Sequence, residues 1–162
     1  MGADSDPHAS RPPTPDDLKR LCVALNSAGA KYLIIGGFAV NYYGLTRATE
    51  DVDLLIDPAP DNLRRVQEAL CILPDRAAKD LTATDLAQYS VIRIVDEITV
   101  DLLTRVGEVT FSSAEAVPVR LDDVTIPIAS LPTLIATKQG LRERDQLDRA
   151  YLLRVQSDLQ SD

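Results

Sequence analysis

Apolar positions along the 162-residue chain recur at two spacings, and the switches between them mark the elements. Leu18, Leu21, Cys22, Leu25 and Ala28 repeat at helical spacing behind Thr14, Pro15, Asp16 and Asp17, which suit a helix start, and Gly29 ends the run. Lys31–Ile35 is a short strand-forming run stopped by Gly36 and Gly37. Phe38–Tyr43 predicts a short helix closed by Gly44, and Glu50–Asp57 a strand ending at Pro58. Leu63, Val66, Ala69, Leu70 and Leu73 share one face of a helix over 61–73. A helix is expected over 74–88, where alanines compete with Thr82 and Thr84. Val91–Val95 and Ile98–Leu103 read as a hairpin around the two-residue turn Asp96-Glu97, and Val117–Leu121 and Val124–Ile128 as a second around Asp122-Asp123. Ser130 caps a helix from Leu131 to about Leu141, and a last helix over about 145–159 carries Leu147, Tyr151, Val155 and Leu159 at i, i+4 steps. Together these predict an α/β fold with a mixed, largely antiparallel sheet flanked by helices. It forms a single domain over 14–162 behind a polar tail, 1–13, expected to be disordered.

Composition removes several function classes. Seventeen basic against 25 acidic residues leave a net charge of −8, which argues against a dedicated DNA-coating protein. No apolar run approaches the roughly eighteen residues of a membrane span, so no membrane partner is expected. The first twenty residues lack a basic start followed by an apolar stretch, so no secretory signal is visible. The two cysteines, Cys22 and Cys71, then read as reduced, buried thiols, and a cytoplasmic location is expected. The single histidine, His8, lies in the tail, which takes histidine zinc sites and a Ser–His–Asp triad out of the folded part. Any chemistry falls to the carboxylates.

The informative stretch is Ile35–Asp57. A strand ends in Gly36-Gly37 and a helix starts at once, which is either a tight turn or a cradle whose amides face phosphate oxygens. Fourteen positions after Gly37 come Asp51 and Asp53, at i and i+2 of a strand and therefore on one face. Their neighbours Val52, Leu54, Leu55 and Ile56 are apolar, so two repelling carboxylates sit in a largely buried strand. A divalent cation such as Mg²⁺ resolves both difficulties; salt bridges to Arg47 or Arg64 at an exposed strand end are the plainer reading. Asp101, mid-strand in Thr99–Leu103, is the candidate third ligand, or else a charge guarding an edge strand.

The glycine pair, the short helix, Gly44, Arg47-Ala48-Thr49 and then Asp51-x-Asp53 resemble the nucleotidyltransferases of the DNA polymerase β superfamily. Within it the chain is most similar to the lincosamide and aminoglycoside nucleotidyltransferases and to the AbiEii-type toxin nucleotidyltransferases. The likeness is strong over 34–57 and looser at Asp101 and over Leu131–Asp148. It implies a nucleotidyltransferase-like fold, with Asp51 and Asp53 holding two Mg²⁺ and Asp101 joining one of them. It places Gly36 and Gly37 against a nucleoside triphosphate through their backbone, and Arg47 and Thr49 where the family contacts phosphate or buttresses the loop. The implied reaction moves a nucleoside monophosphate to an acceptor hydroxyl and releases pyrophosphate, with Asp101 as a candidate base.

Periodicity adds Lys138, which continues the apolar stripe of Leu131, Leu134 and Ile135. A lysine there either snorkels outward or points into a cleft, and toxin-type relatives keep a lysine near the triphosphate. Asp145 and Asp148 read first as dipole compensation at the start of the last helix, and second as a pair of which one helps the acceptor or orients Lys138. Of Tyr42 and Tyr43, one is expected in the core and the other at the surface. Relatives use antibiotics, tRNA ends or protein side chains as acceptors, and the acceptor, the nucleobase and the oligomeric state stay open. A nucleotide-binding or interaction module with little catalysis, such as one component of a toxin–antitoxin pair, is the alternative, and a plain structural domain with a surface acidic cluster is the third reading.

Overall fold

The computed structural model describes residues 10–140 and 142–161. Six strands form its main sheet: β1 (Tyr32–Ile35), β2 (Asp51–Ile56), β3 (Val91–Val95), β4 (Thr99–Leu103), β7 (Ala116–Leu121) and β8 (Val124–Ala129). Their order is β3-β4-β2-β1-β8-β7. The β3–β4, β2–β1 and β8–β7 pairs are antiparallel, while β2–β4 and β1–β8 are parallel. The sheet is therefore mixed and largely antiparallel, as the hairpin-rich sequence predicts. β1 is buried at all four positions because it lies inside the sheet, which is why it reads as an unbroken apolar run. β2 alternates over Asp51-Val52-Asp53 and is then fully buried over Leu54–Ile56. That change along one strand brings two carboxylates to the edge of the core while the rest of the strand anchors them.

The helices are α1 (Pro15–Ser27), α2 (Gly36–Tyr42), α3 (Pro60–Leu70), α4 (Ala83–Gln88), α5 (Leu131–Thr137) and α6 (Glu143–Gln160). α1 packs on α3 and β8, whereas α2 packs on β1, β2 and α5, and α5 on α6. Thr14 caps α1 in a reciprocal box with Asp17. The helix expected over 74–88 is broken: a 3₁₀ turn covers Ala77–Asp80, and Thr82 starts α4 as its N-cap with Asp85. Threonine competed with alanine there and won by capping. The helix expected to reach about Leu141 stops at Thr137, and Leu141 itself lies outside the described residues.

A small hairpin of β5 (Arg105–Val106) and β6 (Val109–Thr110), around Gly107-Glu108, was not expected. Residues 10–13, expected as the end of a disordered tail, lie against the β3–β4 turn instead. The Ser10 hydroxyl donates to the Asp96 carbonyl at 2.6 Å, and Arg11 pairs with Asp17 at 2.6 Å and Glu97 at 3.2 Å. Residues 1–9, His8 among them, lie outside the described residues. Cys22 is buried as expected, but Cys71 is half-buried at the end of α3, and both are free thiols. Among the described residues no helix is long and apolar enough to cross a membrane.

Candidate active site

The sheet register brings the acids together. β2 and β4 run parallel with Asp53 directly beside Asp101 and Asp51 beside Thr99, and in-register neighbours share a face. One carboxylate oxygen from each of Asp51, Asp53 and Asp101 lies within 4.8 Å of the others. The loop at the start of α2 closes on the same point. Gly36 has φ +73°, and a Cβ built on it would lie 2.0 Å from Asp53 Oδ2. Glycine is thus required there twice, by backbone conformation and by the close approach of the aspartate. Gly37 faces Thr49 in the same way, with a virtual Cβ 2.6 Å from Thr49 Cγ2.

The positive partner of the triad is Arg93, not the Arg47 or Arg64 that the plainer sequence reading offered. Arg93 Nε donates to Asp101 Oδ1 at 2.9 Å, and one terminal nitrogen donates to Asp101 Oδ2 at 2.9 Å and Asp51 Oδ2 at 3.0 Å. Arg64 pairs with Asp61 on the surface of α3. Among the described residues no ion pair reaches Asp53. Burial, and then the charges of Asp51 and Asp101, push its carboxyl up to about 7. Burial and the Asp101 charge likewise raise Asp51. Three crowded carboxylates with one arginine between them are under-neutralised, and a hard divalent cation with oxygen preference fits that deficit.

A second charged cluster stands across the site. Lys138 caps the C-terminal end of α5, buried, with its ammonium 3.0 Å from Asp148 and 3.6 Å from Asp145. Arg47 reaches the same Asp148 oxygen at 3.0 Å, and Arg142 reaches Asp145 at 3.1 Å. Lys138 therefore does not snorkel, and Arg47 is no solvated loop arginine. Asn41 brackets the Arg47 backbone, its amide donating to the Arg47 carbonyl and accepting from the Arg47 N–H. Asp145 does stand in the first turn of α6, as the dipole reading has it, but the dipole is not the whole account: Asp145 and Asp148 are both buried and serve as counter-ions to Lys138, and Asp148 to Arg47 as well. The stripe Leu147, Tyr151, Val155, Leu159 is not the buried face of α6 either, since Leu147 is 63% and Leu159 65% exposed. Asp145, Asp148 and Leu152 face inward instead. Tyr151 donates to the Tyr43 carbonyl at 3.1 Å, tying α6 to the loop after α2. Tyr43 is half-buried and Tyr42 exposed, as expected for that pair.

Residues of both clusters line one cavity of about 670 Å³, with Asp148 buried behind Lys138 and Arg47. Every site residue read from the sequence opens onto it: Gly36, Gly37, Arg47, Thr49, Asp51, Asp53, Asp101 and Lys138. Arg93, Arg142 and Arg144 join them from outside that reading. The cavity thus offers an acidic wall beside cationic groups, a surface that suits a metal-bound polyphosphate.

Comparison with known proteins bears on the family and the fold. A family described as nucleotidyl transferase AbiEii toxin, type IV toxin–antitoxin system, matches residues 19–155. Among solved structures the chain is similar to an antigenic nucleotidyltransferase-like protein from Paracoccidioides brasiliensis, at 20% sequence identity and a TM-score of 0.50. That match covers 90% of this chain and 79% of the other, and at such identity it speaks for the fold. No curated protein matches the chain.

Proposed function

The chain belongs to the AbiEii nucleotidyl transferase toxin family, and from that premise we propose that its cavity transfers a nucleoside monophosphate from a nucleoside triphosphate to an acceptor hydroxyl. The observation that carries the reading is the parallel β2–β4 register, which sets three carboxylates within 4.8 Å in the wall of a cavity that also holds Lys138. Asp51 and Asp53 would hold two Mg²⁺, with Asp101 joining one of them. When bound, the ions supply charge neutralisation at the α-phosphate and the leaving pyrophosphate and acidify the acceptor hydroxyl. The acceptor oxygen forms a bond to the α-phosphorus, the bond from that phosphorus to the bridging oxygen breaks, and pyrophosphate leaves with the electron pair.

The chain's own groups divide the remaining work. Gly36 and Gly37 present backbone without side chains, so phosphate oxygens can approach closely. Lys138 offers an ammonium whose position is fixed by Asp148 and Asp145, a donor for the triphosphate that need not be ordered when substrate arrives. Arg47 braces the loop before β2 from behind, and Thr49 packs on Gly37. Asp101 would take the acceptor proton once Arg93 has released its oxygens.

The test is pyrophosphate release from each nucleoside triphosphate with Mg²⁺ present, for the wild type and Asp53→Asn, against a panel of RNA, protein and small-molecule acceptors. Metal-dependent release that Asp53→Asn abolishes supports transfer. Triphosphate binding without release would instead make the protein a nucleotide-binding component of a toxin–antitoxin pair.

A further inference from the structure

Arg93 is the one cation that touches the carboxylate triad among the described residues. It stands on β3, an edge strand of the sheet, directly opposite Asp101 in the antiparallel β3–β4 register. A single guanidinium spans both oxygens of Asp101 and one oxygen of Asp51. Those are oxygens the metal reading needs. Yet the side chain is 59% exposed, and its strand neighbours on the same face, Val91 and Val95, are exposed as well. Lys138 differs on each count: it is buried, and its partner carboxylates are buried with it.

We propose that Arg93 is a resident counter-ion of the triad, one that orders Asp51 and Asp101 before a cation arrives and gives way when it does. The inference rests on the metal-dependent reading of the cavity and adds the residue that tunes it. Three carboxylates without a cation repel one another and would splay; the arginine fork holds two of them side by side. A divalent cation drawing on the same oxygens displaces a guanidinium that is free to swing into solvent. Metal binding is therefore an exchange, and the broken arginine contacts are subtracted from the affinity. Arg93 acts through Asp51 and Asp101 and is a positioning residue.

The experiment titrates Mn²⁺ into the wild type, Arg93→Gln and Arg93→Lys, with bound ion counted by electron paramagnetic resonance and affinity read by calorimetry. Melting temperatures are taken with and without the ion. With the competitor gone, Arg93→Gln is expected to bind Mn²⁺ roughly tenfold more tightly, a size set by two partly exposed ion pairs. Its metal-free melting temperature is expected to fall while the rise on adding Mn²⁺ grows. Arg93→Lys, which keeps the charge but loses the fork, is expected to fall between. A merely structural arginine would show the opposite sign, since a loosened triad binds the ion less tightly. Affinity in Arg93→Gln equal to or weaker than wild type, with the circular dichroism unchanged, overturns the proposal alone. Should Arg93→Gln fail to fold, the sign of the Arg93→Lys change decides in its place. A wild type that takes up no Mn²⁺ overturns the functional reading and this proposal together.

Discussion

Asp53 lines the cavity, Asp148 is buried against two residues that line it, Lys138 and Arg47, and the protein treats the two acids differently. Asp148 is 2% exposed and has two cations on one oxygen, Lys138 and Arg47, each at 3.0 Å. Its neighbour Asp145 is matched by Lys138 and Arg142. Two acids there meet three bases. At the triad, three acids meet the single guanidinium of Arg93, and that one is half in solvent. Buried charge is tolerated when it is paired within the fold. The first cluster is paired: it is a brace that fixes the C-terminal end of α5 against α6 and the loop before β2, and it holds the Lys138 ammonium in place beside the cavity. The second leaves Asp53 unpaired, and charge left unbalanced in a cleft points to a ligand that completes it.

The comparison predicts opposite costs for removing the two acids. Asp53→Asn is expected to lower nucleotide transfer by about a thousandfold or more, since the metal ligands supply several kcal/mol of transition-state stabilisation. The metal-free melting temperature should hold or rise, because a repelling charge is gone. A clear drop would make Asp53 part of the scaffold and dissolve the contrast. Asp148→Ala leaves a buried ammonium and a guanidinium uncompensated, and is expected to cost about 3–5 kcal/mol of stability in urea denaturation. A cost below about 1 kcal/mol would show that the α5–α6 cluster is no brace. A milder pair sharpens the glycine side of the site. Gly29 and Gly36 have φ +70° and +73°, but only Gly36 has anything within 4 Å of a built Cβ. Alanine at either is expected to cost about 1–2 kcal/mol for the backbone. Only Gly36→Ala should also weaken Mn²⁺ binding, by pushing Asp53 aside.

Much of the triad was legible because alternation is a local signal. Asp51 and Asp53 at i, i+2 in an apolar strand fix a shared face whatever surrounds them, and an aspartate inside Thr99–Leu103 marks itself as anomalous. Arg93 was not legible, and the reason is one residue of register. A two-residue Asp96-Glu97 turn sets Arg93 opposite Val100, on the wrong face for the acids. The observed pairs are Val95 with Thr99 and Arg93 with Asp101, around a three-residue turn. Asp96 stays in the turn, but its buried carboxylate accepts the N–H groups of Asp75, Ala77 and Glu97. That tertiary commitment cannot be seen from the hairpin alone, and a slip of one moves every side chain to the other face. The α5–α6 cluster was legible only as a second reading of Asp145 and Asp148, for a different reason. Periodicity assumes that the inward face of a helix is apolar, and α6 turns Asp145 and Asp148 inward. The pattern then followed Leu147 and Leu159, which face solvent.

The smallest expected effect is a pH dependence that the two clusters should not share. In the metal-free fold, burial and the charges of Asp51 and Asp101 keep the Asp53 proton on up to about 7, while the unfolded chain releases it near ~3.9. Between those values the native state binds more protons than the unfolded one, so stability falls as pH rises. The slope for one such group cannot exceed about 1.4 kcal/mol per pH unit. Chelator-treated protein is therefore expected to melt at progressively lower temperature from about pH 4.5 to 7.5. Mn²⁺ competes with that proton, so the rise in melting temperature on adding the ion should grow across the same range. Asp53→Asn should flatten most of the metal-free slope, leaving the contribution of Asp51, whose carboxyl is raised in the same direction. Loss of a partner from the α5–α6 brace, as in Lys138→Met, should lower stability and, because the Lys138 charge holds the Asp53 carboxyl down, keep the Asp53 slope and carry it to higher pH. A metal-free wild type whose melting temperature is level over this range would mean that Asp53 is already ionised and compensated, and the distinction between a balanced and an unbalanced cluster would fail at its central residue.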